Sequence, residues 1–390
     1  MVGILLTTLQ RSLQAELDQF FLHWPLPDGR LAHDDAFRMA RKKLKPSVFV
    51  DLNQRLLAQA PAVTSRWHGW RVLAADSTTL YLPTTLYLPT THPDTIAATH
   101  FNHYHDGAGG VYSLARAAAL LDVASGLFLR ADLASDSQGE RAMLVSQLSA
   151  MQPDDLLVLD RGYPAHWLFA LLWQQQRAFC IRLPLSYSPQ VAAFVRSGQD
   201  STIITCQPQA HHAGFAEHEL PLTPFRLRLV RVVLPSGQIE VLATSLLDEV
   251  QYPACVFGQL YQQRWRIEEA FRHIKCRLKL ERFGGETPLA IRQEFHATIL
   301  LHNLATLAGL EALQSLPEAE RREQHVNLTH ASQFLRLLMP QLLQPGCDIE
   351  ALCLGLFEGI LRQLTRKRPD RIGPLRKPNR AKPRYHRAYK

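Results

Sequence analysis

Residues 258–283 read GQLYQQRWRIEEAFRHIKCRLKLERF, and the organisation of the whole chain depends on this stretch. At 100° per residue it predicts a helix with two distinct faces. One face is apolar and carries Leu260, Ile267, Phe271, Ile274 and Leu278. The other is polar and carries Tyr261, Arg264, Glu268 and Lys275, extended by Trp265, Arg272, Lys279 and Arg282. One carboxylate among cations indicates a functional surface, but it is equally typical of a solvated helix with internal ion pairs.

The composition favours a globular protein of a reducing compartment. Of the 390 residues, 46% are hydrophobic and 20% are charged, and the six cysteines form no CxxC pair. Such a chain is long enough for two or three domains, and its cysteines argue against a zinc ribbon. No apolar run approaches the roughly 18 residues that a membrane helix needs. We therefore expect a cytoplasmic protein, with no membrane partner.

Positive charge is concentrated at the C-terminus. Residues 362–390 contain twelve Lys or Arg and a single acid, so this segment carries +11 and the rest of the chain −3. Its prolines exclude a long helix, so we expect an extended or disordered arm. Such an arm suits salt-sensitive contacts with nucleic-acid phosphates, although a solubilising tail has the same composition.

Two aspartates follow short apolar runs upstream of residue 258. Asp76 follows Val72 and Leu73, and Asp160 follows the run from Leu156 to Leu159. We predict two buried strands that end at these aspartates, within the order three strands, helix, strand, helix, strand. Immediately after Asp76 the hexapeptide LYLPTT occurs twice, at 80–85 and 86–91, which we interpret as a lengthened hairpin or loop.

Taken in order, Asp76, Asp160 and Glu268 are three carboxylates that suit a metal site. Hard oxygen ligands favour Mg²⁺, with Mn²⁺ as an alternative. Two such ions promote in-line phosphoryl transfer, whereas without metal the three carboxylates repel one another and raise one another's pKa. Should Asp76 not belong to the site, the best substitutes are Asp132, Asp136 and Glu140.

The residues around these carboxylates resemble a known family. The spacing Tyr-x2-Arg-x3-Glu-x6-Lys, formed by Tyr261, Arg264, Glu268 and Lys275, is similar to the signature of Asp-Asp-Glu transposases in the fourth family of bacterial insertion sequences. The contexts Asp76-Ser-Thr and Asp160-Arg-Gly-Tyr resemble it too. The resemblance covers roughly residues 34–310.

This resemblance implies an α/β fold with a ribonuclease-H-like core, a mixed sheet flanked by helices. It implies Mg²⁺ dependence and cut-and-paste transposition through a DNA hairpin. Asp76, Asp160 and Glu268 are then the metal ligands, and Tyr261, Arg264 and Lys275 contact the transposon end. Arg272 and Lys279 extend that DNA surface. The partners are double-stranded DNA and, on DNA, a second copy of the chain; the location is nucleoid-associated cytoplasm.

The domain division that we expect begins with a helical region, residues 1–66. There Arg38, Arg41 and Lys42 lie where two short helices meet, which suits either DNA contact or a solvated hairpin. The catalytic core follows at 67–183, a β-rich insertion at 184–247, and the Glu268 helix at 248–286. A helical region, 287–361, and the basic tail, 362–390, complete the chain.

The chain departs from the family pattern in two ways. Some members carry a tryptophan in the β-rich insertion, but all six tryptophans here lie outside residues 184–247. The LYLPTT duplication is the second departure. It motivates one alternative to an active transposase, a DNA-binding remnant or repressor that no longer cuts. A general nuclease of the same fold is a further alternative.

Overall fold

The structure is a computed structural model that describes residues 1–7, 12–23, 32–60, 65–83, 101–105, 111–209 and 214–366. The second LYLPTT copy and most of the basic tail therefore lie outside the described residues. The helices are α1 (Val2–Leu6), α2 (Leu13–His23), α3 (Asp34–Arg41), α4 (Ser47–Gln59), α5 (Glu140–Gln147), α6 (His166–Gln174), α7 (Pro189–Ser197), α8 (Phe257–Gln262), α9 (Trp265–Arg272), α10 (Pro288–Gln314), α11 (Glu318–Glu323), α12 (Leu328–Leu342) and α13 (Ile349–Leu361).

The strands are β1 (Arg71–Leu82), β2 (Asn102–His105), β3 (Val111–Asp122), β4 (Phe128–Ser135), β5 (Asp155–Leu159), β6 (Ala178–Leu183), β7 (Ser201–Cys206), β8 (Phe225–Val233), β9 (Ile239–Thr244), β10 (Gln324–His325) and β11 (Thr365–Arg366). The first nine form one mixed sheet. Its order is β2-β3-β1-β5-β6-β9-β8-β7, with β4 also paired to β3. Only β1/β5 and β5/β6 are parallel. The fold is therefore α/β with a large mixed sheet, as the sequence predicts.

Strand alternation divides the core between the two faces of the sheet. Val72, Ala74, Leu156 and Val158 belong to one hydrophobic cluster, which also includes residues of α8, α9 and α10. Leu73, Ala75, Leu157 and Leu159 belong to a second cluster, which includes residues of α5, α6 and α7. Helices thus cover both faces, and β5 is buried along its whole length, as expected of a central parallel strand.

The strands of the β-rich segment extend the same sheet. β9 pairs with β6 through the register Ile181↔Ala243, and β8 and β7 follow outward from β9. The segment continues the core in hydrogen-bonded register, so its apolar residues divide between the two clusters: Leu229 and Ala243 join that of α6 and α7, and Val230 and Leu242 join the other.

Three local predictions are wrong. Among the described residues, four strands and not three precede α5, because Asn102–His105 pairs with β3 as β2. The first strand does not end at Asp76 but continues to Leu82, because β3 pairs with it from Leu73 to Leu82. The 258–283 stretch is not one helix. Between α8 and α9 the chain makes a tighter turn, in which the Arg264 N–H donates to the Tyr261 carbonyl three residues earlier. After α9 it continues as a π-helix at His273–Arg277.

No helix among the described residues is long and apolar enough to cross a membrane. The longest, α10, has 27 residues, but Gln293, Glu294, His302 and Asn303 are buried in it. These polar groups form hydrogen bonds with α3, α4 and the β3–β4 hairpin. The helices α3 and α4 are therefore anchored on α10.

Candidate functional site

The neighbouring parallel strands β1 and β5 bring two carboxylates to one place. In their register Ala74 lies beside Val158, and both are fully buried on the same face. Asp76 and Asp160 each lie two residues further along, so alternation directs Asp76 to that face and Asp160 leaves β5 beside it. Asp76 sits within a strand and Asp160 just after one, yet the two aspartates still meet.

The third carboxylate comes from α9, which packs on the same face of the sheet. Ile267, Ala270 and Phe271 anchor α9 in the core cluster that includes Ala74 and Val158. Glu268 is therefore directed toward β1. The predicted apolar face is buried as expected. On the polar face Tyr261 and Arg264 are buried and Glu268 and Lys275 are half-buried, whereas its extension, Trp265, Arg272 and Lys279, is exposed.

Arg264 joins two of the three carboxylates. Its Nη2 donates to Glu268 Oε1 at 2.5 Å, and its Nη1 lies 3.5 Å from Asp76 Oδ2. Only 7% of the Arg264 side chain is exposed, and its Nε has no hydrogen-bond partner. A buried guanidinium needs such partners because its desolvation is costly. The unused Nε donor leaves it incompletely satisfied.

Asp76 lies in surroundings that oppose its negative charge. Burial, together with the Asp160 and Glu268 carboxylates, raises the pKa of Asp76 to about 7, although the Ser77 N–H and Arg264 act in the other direction. The mutual repulsion predicted from the sequence is therefore present. A divalent cation relieves such repulsion, so the carboxylate oxygens have the donor chemistry that Mg²⁺ or Mn²⁺ requires.

The loop after β5 is held rigidly. Gly162 N–H donates to Asp160 Oδ1 at 2.7 Å, which orients that carboxylate. Arg141 of α5 donates to the carbonyls of Gly162 and Tyr163 at 2.7 and 2.9 Å. The Tyr163 side chain is 1% exposed. These contacts explain the Asp-Arg-Gly-Tyr sequence as a turn that fixes Asp160.

The two remaining signature residues lie at the same site. Tyr261 is buried, and its hydroxyl has no hydrogen-bond partner. Lys275 donates to the Thr79 carbonyl at 2.7 Å and pairs with Glu281 at 3.3 Å. Lys275 thus ties the π-helix to the extension of β1 beyond Asp76.

A compact three-ligand cluster occurs elsewhere among the described residues. His33, Asp34 and Asp35 have ligand atoms within 4.8 Å of one another, and no other described trio of His, Cys, Asp or Glu does. His33 Nδ1 accepts from Asp35 N–H at the start of α3, so this group serves as a helix cap. The Asp76, Asp160 and Glu268 oxygens are spread more widely, around Arg264, and we favour them because they converge from three elements.

The other predicted DNA contacts divide by exposure. Arg38, Lys42, Arg272 and Lys279 are exposed. Arg41 is not: its Nη2 pairs with Glu294 at 2.7 Å, and its Nε donates to Gln293 at 2.6 Å. The prediction that Arg41 contacts DNA is therefore wrong, because the side chain is used inside the protein.

Of the substitute carboxylates, only Glu140 reaches the site. Asp132 pairs with Arg130 and accepts from Gln147, and Asp136 accepts from the Tyr104 hydroxyl at 2.5 Å. Glu140 accepts from Ser77 Oγ at 3.1 Å, next to Asp76. Its position in sequence, at a helix start, gave no sign of this approach.

Comparison with known proteins gives the family of the chain. A family model described as "Transposase DDE domain" matches residues 67–304. The chain is 23% identical over 298 residues to "Transposase InsG for insertion sequence element IS4" of Escherichia coli K12, covering 71% of this chain and 64% of that protein. It is 26% identical over 170 residues to "Putative transposase y4zB" of Sinorhizobium fredii NGR234, covering 42% of this chain and 46% of that protein.

The chain thus spans about half of one relative and under two thirds of the other. Among solved structures it is similar to a piggyBac transposase synaptic complex with hairpin DNA. That match has a TM-score of 0.37 and 9% identity, and it covers 74% of this chain and 57% of that one. A similarity this weak carries no argument about the site.

Proposed function

Because this chain belongs to the DDE transposase family and is of the IS4 kind, we propose that it catalyses Mg²⁺-dependent cleavage and strand transfer at the terminal inverted repeats of an insertion sequence. One observation carries the proposal. The strand β1, the loop after β5 and the helix α9 bring Asp76, Asp160 and Glu268 to the same face of the sheet, with Arg264 between two of them.

The topology supports a ribonuclease-H-like core. Antiparallel β1, β3 and β4 are followed along the chain by β5 and β6, which are parallel to β1, and helices cover both faces. We assign this core to residues 67–183 and 248–286. The β-rich insertion is 184–247, the terminal helical regions are 1–66 and 287–361, and the tail is 362–390.

In the proposed mechanism Asp76, Asp160 and Glu268 would hold divalent cations. Bound Mg²⁺, or Mn²⁺ in its place, would supply activation of a water or 3′-hydroxyl and stabilisation of the leaving oxygen in an in-line displacement. Ser77 N–H and Gly162 N–H orient Asp76 and Asp160. Burial of Asp76 excludes competing water from one side of the site.

Arg264 and Tyr261 bind the DNA backbone in this proposal. The free Nε of Arg264 and the unpartnered Tyr261 hydroxyl are donors without acceptors, and phosphate oxygens are strong acceptors. With metal held by Asp76 and Glu268, the Arg264 guanidinium would be able to exchange one carboxylate partner for a phosphate oxygen. Lys275 holds β1 and the π-helix in place and lies beside the same surface.

The partners that follow are double-stranded DNA, as transposon end and as target, and a second copy of the chain on paired ends. Such a protein works in the cytoplasm at the nucleoid. The exposed Arg272, Lys279, Arg38 and Lys42 supply further phosphate contacts.

The test is Mg²⁺-dependent nicking of a duplex that carries the element's own ends, with a scrambled-end duplex beside it. A transposase nicks the first and spares the second. Equal cutting of both duplexes identifies a general nuclease.

Binding without cutting identifies a remnant or repressor. In that case deletion of residues 86–91 shows whether the duplicated hexapeptide is the lesion.

A further inference from the structure

The side chain of Glu140 extends from another element into the same site. Glu140 is the first residue of α5, which packs on the opposite face of the sheet from α9. Its Oε2 accepts from Ser77 Oγ at 3.1 Å, while Ser77 N–H donates to Asp76 Oδ1 at 2.8 Å. A single residue thus links the carboxylates of Glu140 and Asp76.

Glu140 also approaches Asp160, at a position that only glycine leaves open. A Cβ built on Gly162 would stand 2.6 Å from Glu140 Oε1 and 3.1 Å from Asp160 Oδ1. Contacts below 3.0 Å are not tolerated by real Cβ atoms, so a side chain at 162 would displace the Glu140 carboxylate. The absence of a side chain lets two carboxylates converge on one point.

These two carboxylates form no ion pair of the kind that Arg264 makes with Asp76 and Glu268, although Arg116 and Arg141 line the neighbouring cavity. Asp76 and Glu268 share Arg264. In the described part of the chain, no Lys, Arg or His nitrogen lies within 4.0 Å of an oxygen of Glu140 or Asp160. Neighbouring anions without a cation are unfavourable, and a bound metal is a common remedy in proteins.

The local field supports the same conclusion. Burial, followed by the charges of Asp76, Glu140 and Asp160, raises the pKa of the Tyr163 hydroxyl well above its ordinary value, against the opposing charge of Arg116. All three carboxylates therefore act on one buried point. A cavity of about 420 Å³ borders Glu140 and Gly162; Arg116 and Arg141 line it as well as Glu217, so this side of the site is open but not purely anionic.

A simpler role for Glu140 exists. An acid in the first turn stabilises a helix through its dipole, and Gly139 supplies no capping side chain. That role accounts for a negative charge at position 140. It does not require the carboxylate to bind Ser77 or to enter the space above Gly162.

We propose that Glu140 is a fourth carboxylate ligand of the metal site, and that with Asp160 it holds a divalent cation on the side away from Arg264. The inference rests on the proposed function, since that function supplies the requirement for metal. Asp160 then serves both sides of the site, with Asp76 and Glu268 on one side and Glu140 on the other.

The experiment measures Mn²⁺ binding to the full chain by electron paramagnetic resonance, without DNA. Glu140→Gln keeps the shape and the Ser77 contact but removes the charge, and we expect Mn²⁺ affinity to fall about tenfold or more. The matched control is Glu217→Gln. Glu217 is exposed and lines the same cavity, so its loss tests long-range charge alone, and affinity should stay within about twofold.

A second variant, Glu140→Asp, separates the ligand role from the helix role. Aspartate keeps the charge at the helix start but withdraws it by one methylene, so a dipole role predicts unchanged Mn²⁺ binding and a ligand role predicts weaker binding. Wild-type affinity in either Glu140 variant, with weakened binding in Asp160→Asn, would overturn this inference and leave the proposed function standing. Wild-type affinity in all of these variants and in Glu268→Gln would overturn both.

Discussion

Two buried arginines of this protein, Arg41 and Arg264, look alike in sequence and differ in their surroundings. No more than 7% of the surface of either residue is exposed, and each side chain donates to a glutamate at 2.7 Å or less. Arg41 makes the hydrogen bonds of a structural residue. Its Nε donates to Gln293, and its Nη2 donates to Glu294 and to the Ala290 carbonyl. Arg264 has a free Nε and a second carboxylate at 3.5 Å.

The difference separates structural charge from functional charge. Glu294, the partner of Arg41, also accepts from Gly284 N–H at 2.7 Å, and no unpartnered atom of this network occurs among the described buried groups. Around Arg264 there remain unused donors and a carboxylate with a raised pKa. Hydrogen-bond satisfaction, and not burial or charge, indicates which arginine is available to a ligand.

Between the two arginines, the larger expected effect is the loss of stability on removing Arg41. Arg41→Met leaves Glu294 buried without a cation, and breaking such a pair costs about 3–5 kcal/mol of unfolding free energy. Urea denaturation of both proteins measures this. The matched control is Arg38→Met, an exposed arginine three residues earlier, which should cost under about 1 kcal/mol. Equal stability of the Arg41 variant and the wild type would show that Arg41 has no structural role.

Removal of Arg264 should affect catalysis more than stability. Arg264→Met deletes a cation from the phosphate site, and we expect DNA nicking to slow by about 10²–10³-fold. Its carboxylate partners are 18% and 25% exposed, so water compensates part of the lost pairing. Single-turnover nicking and urea denaturation of the same samples test both statements. Arg266→Met, an exposed neighbour on α9, is the control. A large loss of stability with unchanged nicking would show that the role of Arg264 is structural, like that of Arg41.

The raised pKa of Asp76 predicts a pH-dependent stability. Because its pKa rises from 3.8 to about 7 on folding, the protonated acid favours the native state, and unfolding free energy contributed by this group falls between about pH 4 and pH 7. Asp76→Asn removes the penalty. We expect a gain of about 2–4 kcal/mol at pH 8 in the absence of divalent metal, and much less at pH 5.

Urea unfolding at the two pH values, in chelator, measures this gain. Asp51→Asn, an exposed aspartate of α4, is the matched substitution and should change little at either pH. A gain that does not depend on pH would show that burial and the neighbouring carboxylates do not raise the pKa of Asp76.

The smallest effects are expected at the exposed cations. Arg272→Gln and Lys279→Gln each remove one charge from the predicted DNA surface. Each should weaken DNA binding severalfold and reduce the slope of log affinity against log salt by about 1. Fluorescence anisotropy over a range of salt concentrations measures both quantities. Arg196→Gln removes an equal charge from α7 and serves as control. An identical loss of DNA affinity in the control would show that Arg272 and Lys279 do not belong to a specific DNA surface.

Local patterns predicted the fold and the site in part, for identifiable reasons. Short apolar runs such as that from Leu156 to Leu159 predicted individual strands, whereas the mixed sheet flanked by helices was implied by the family resemblance. Asp76 and Asp160 were predicted at strand ends, and the parallel pairing of β1 with β5 that places them side by side is a finding of the structure. Helical periodicity predicted the position of Glu268 on the polar face. That prediction survives the turn between α8 and α9 because the interruption at Arg264 is short.

What sequence did not predict depends on distant partners. The continuation of β1 through Ser77, Thr78 and Thr79 comes from pairing with β3, since these polar residues give no apolar signal. The burial of Arg41 depends on Glu294, about 250 residues away. The approach of Glu140 to Gly162 joins two turns that are separate in sequence. None of these has a local pattern.

The central claim is that Asp76, Asp160 and Glu268 form one metal-dependent site for DNA cleavage. Its most direct test is Mg²⁺-dependent nicking of the element's own ends by the wild type, Asp160→Asn and Glu268→Gln, with Glu269→Gln as the exposed neighbouring control. We predict that the first two variants lose about 10⁴-fold or more in rate while still binding the ends, and that the control cuts like the wild type. Wild-type cleavage by Asp160→Asn or Glu268→Gln would contradict the account.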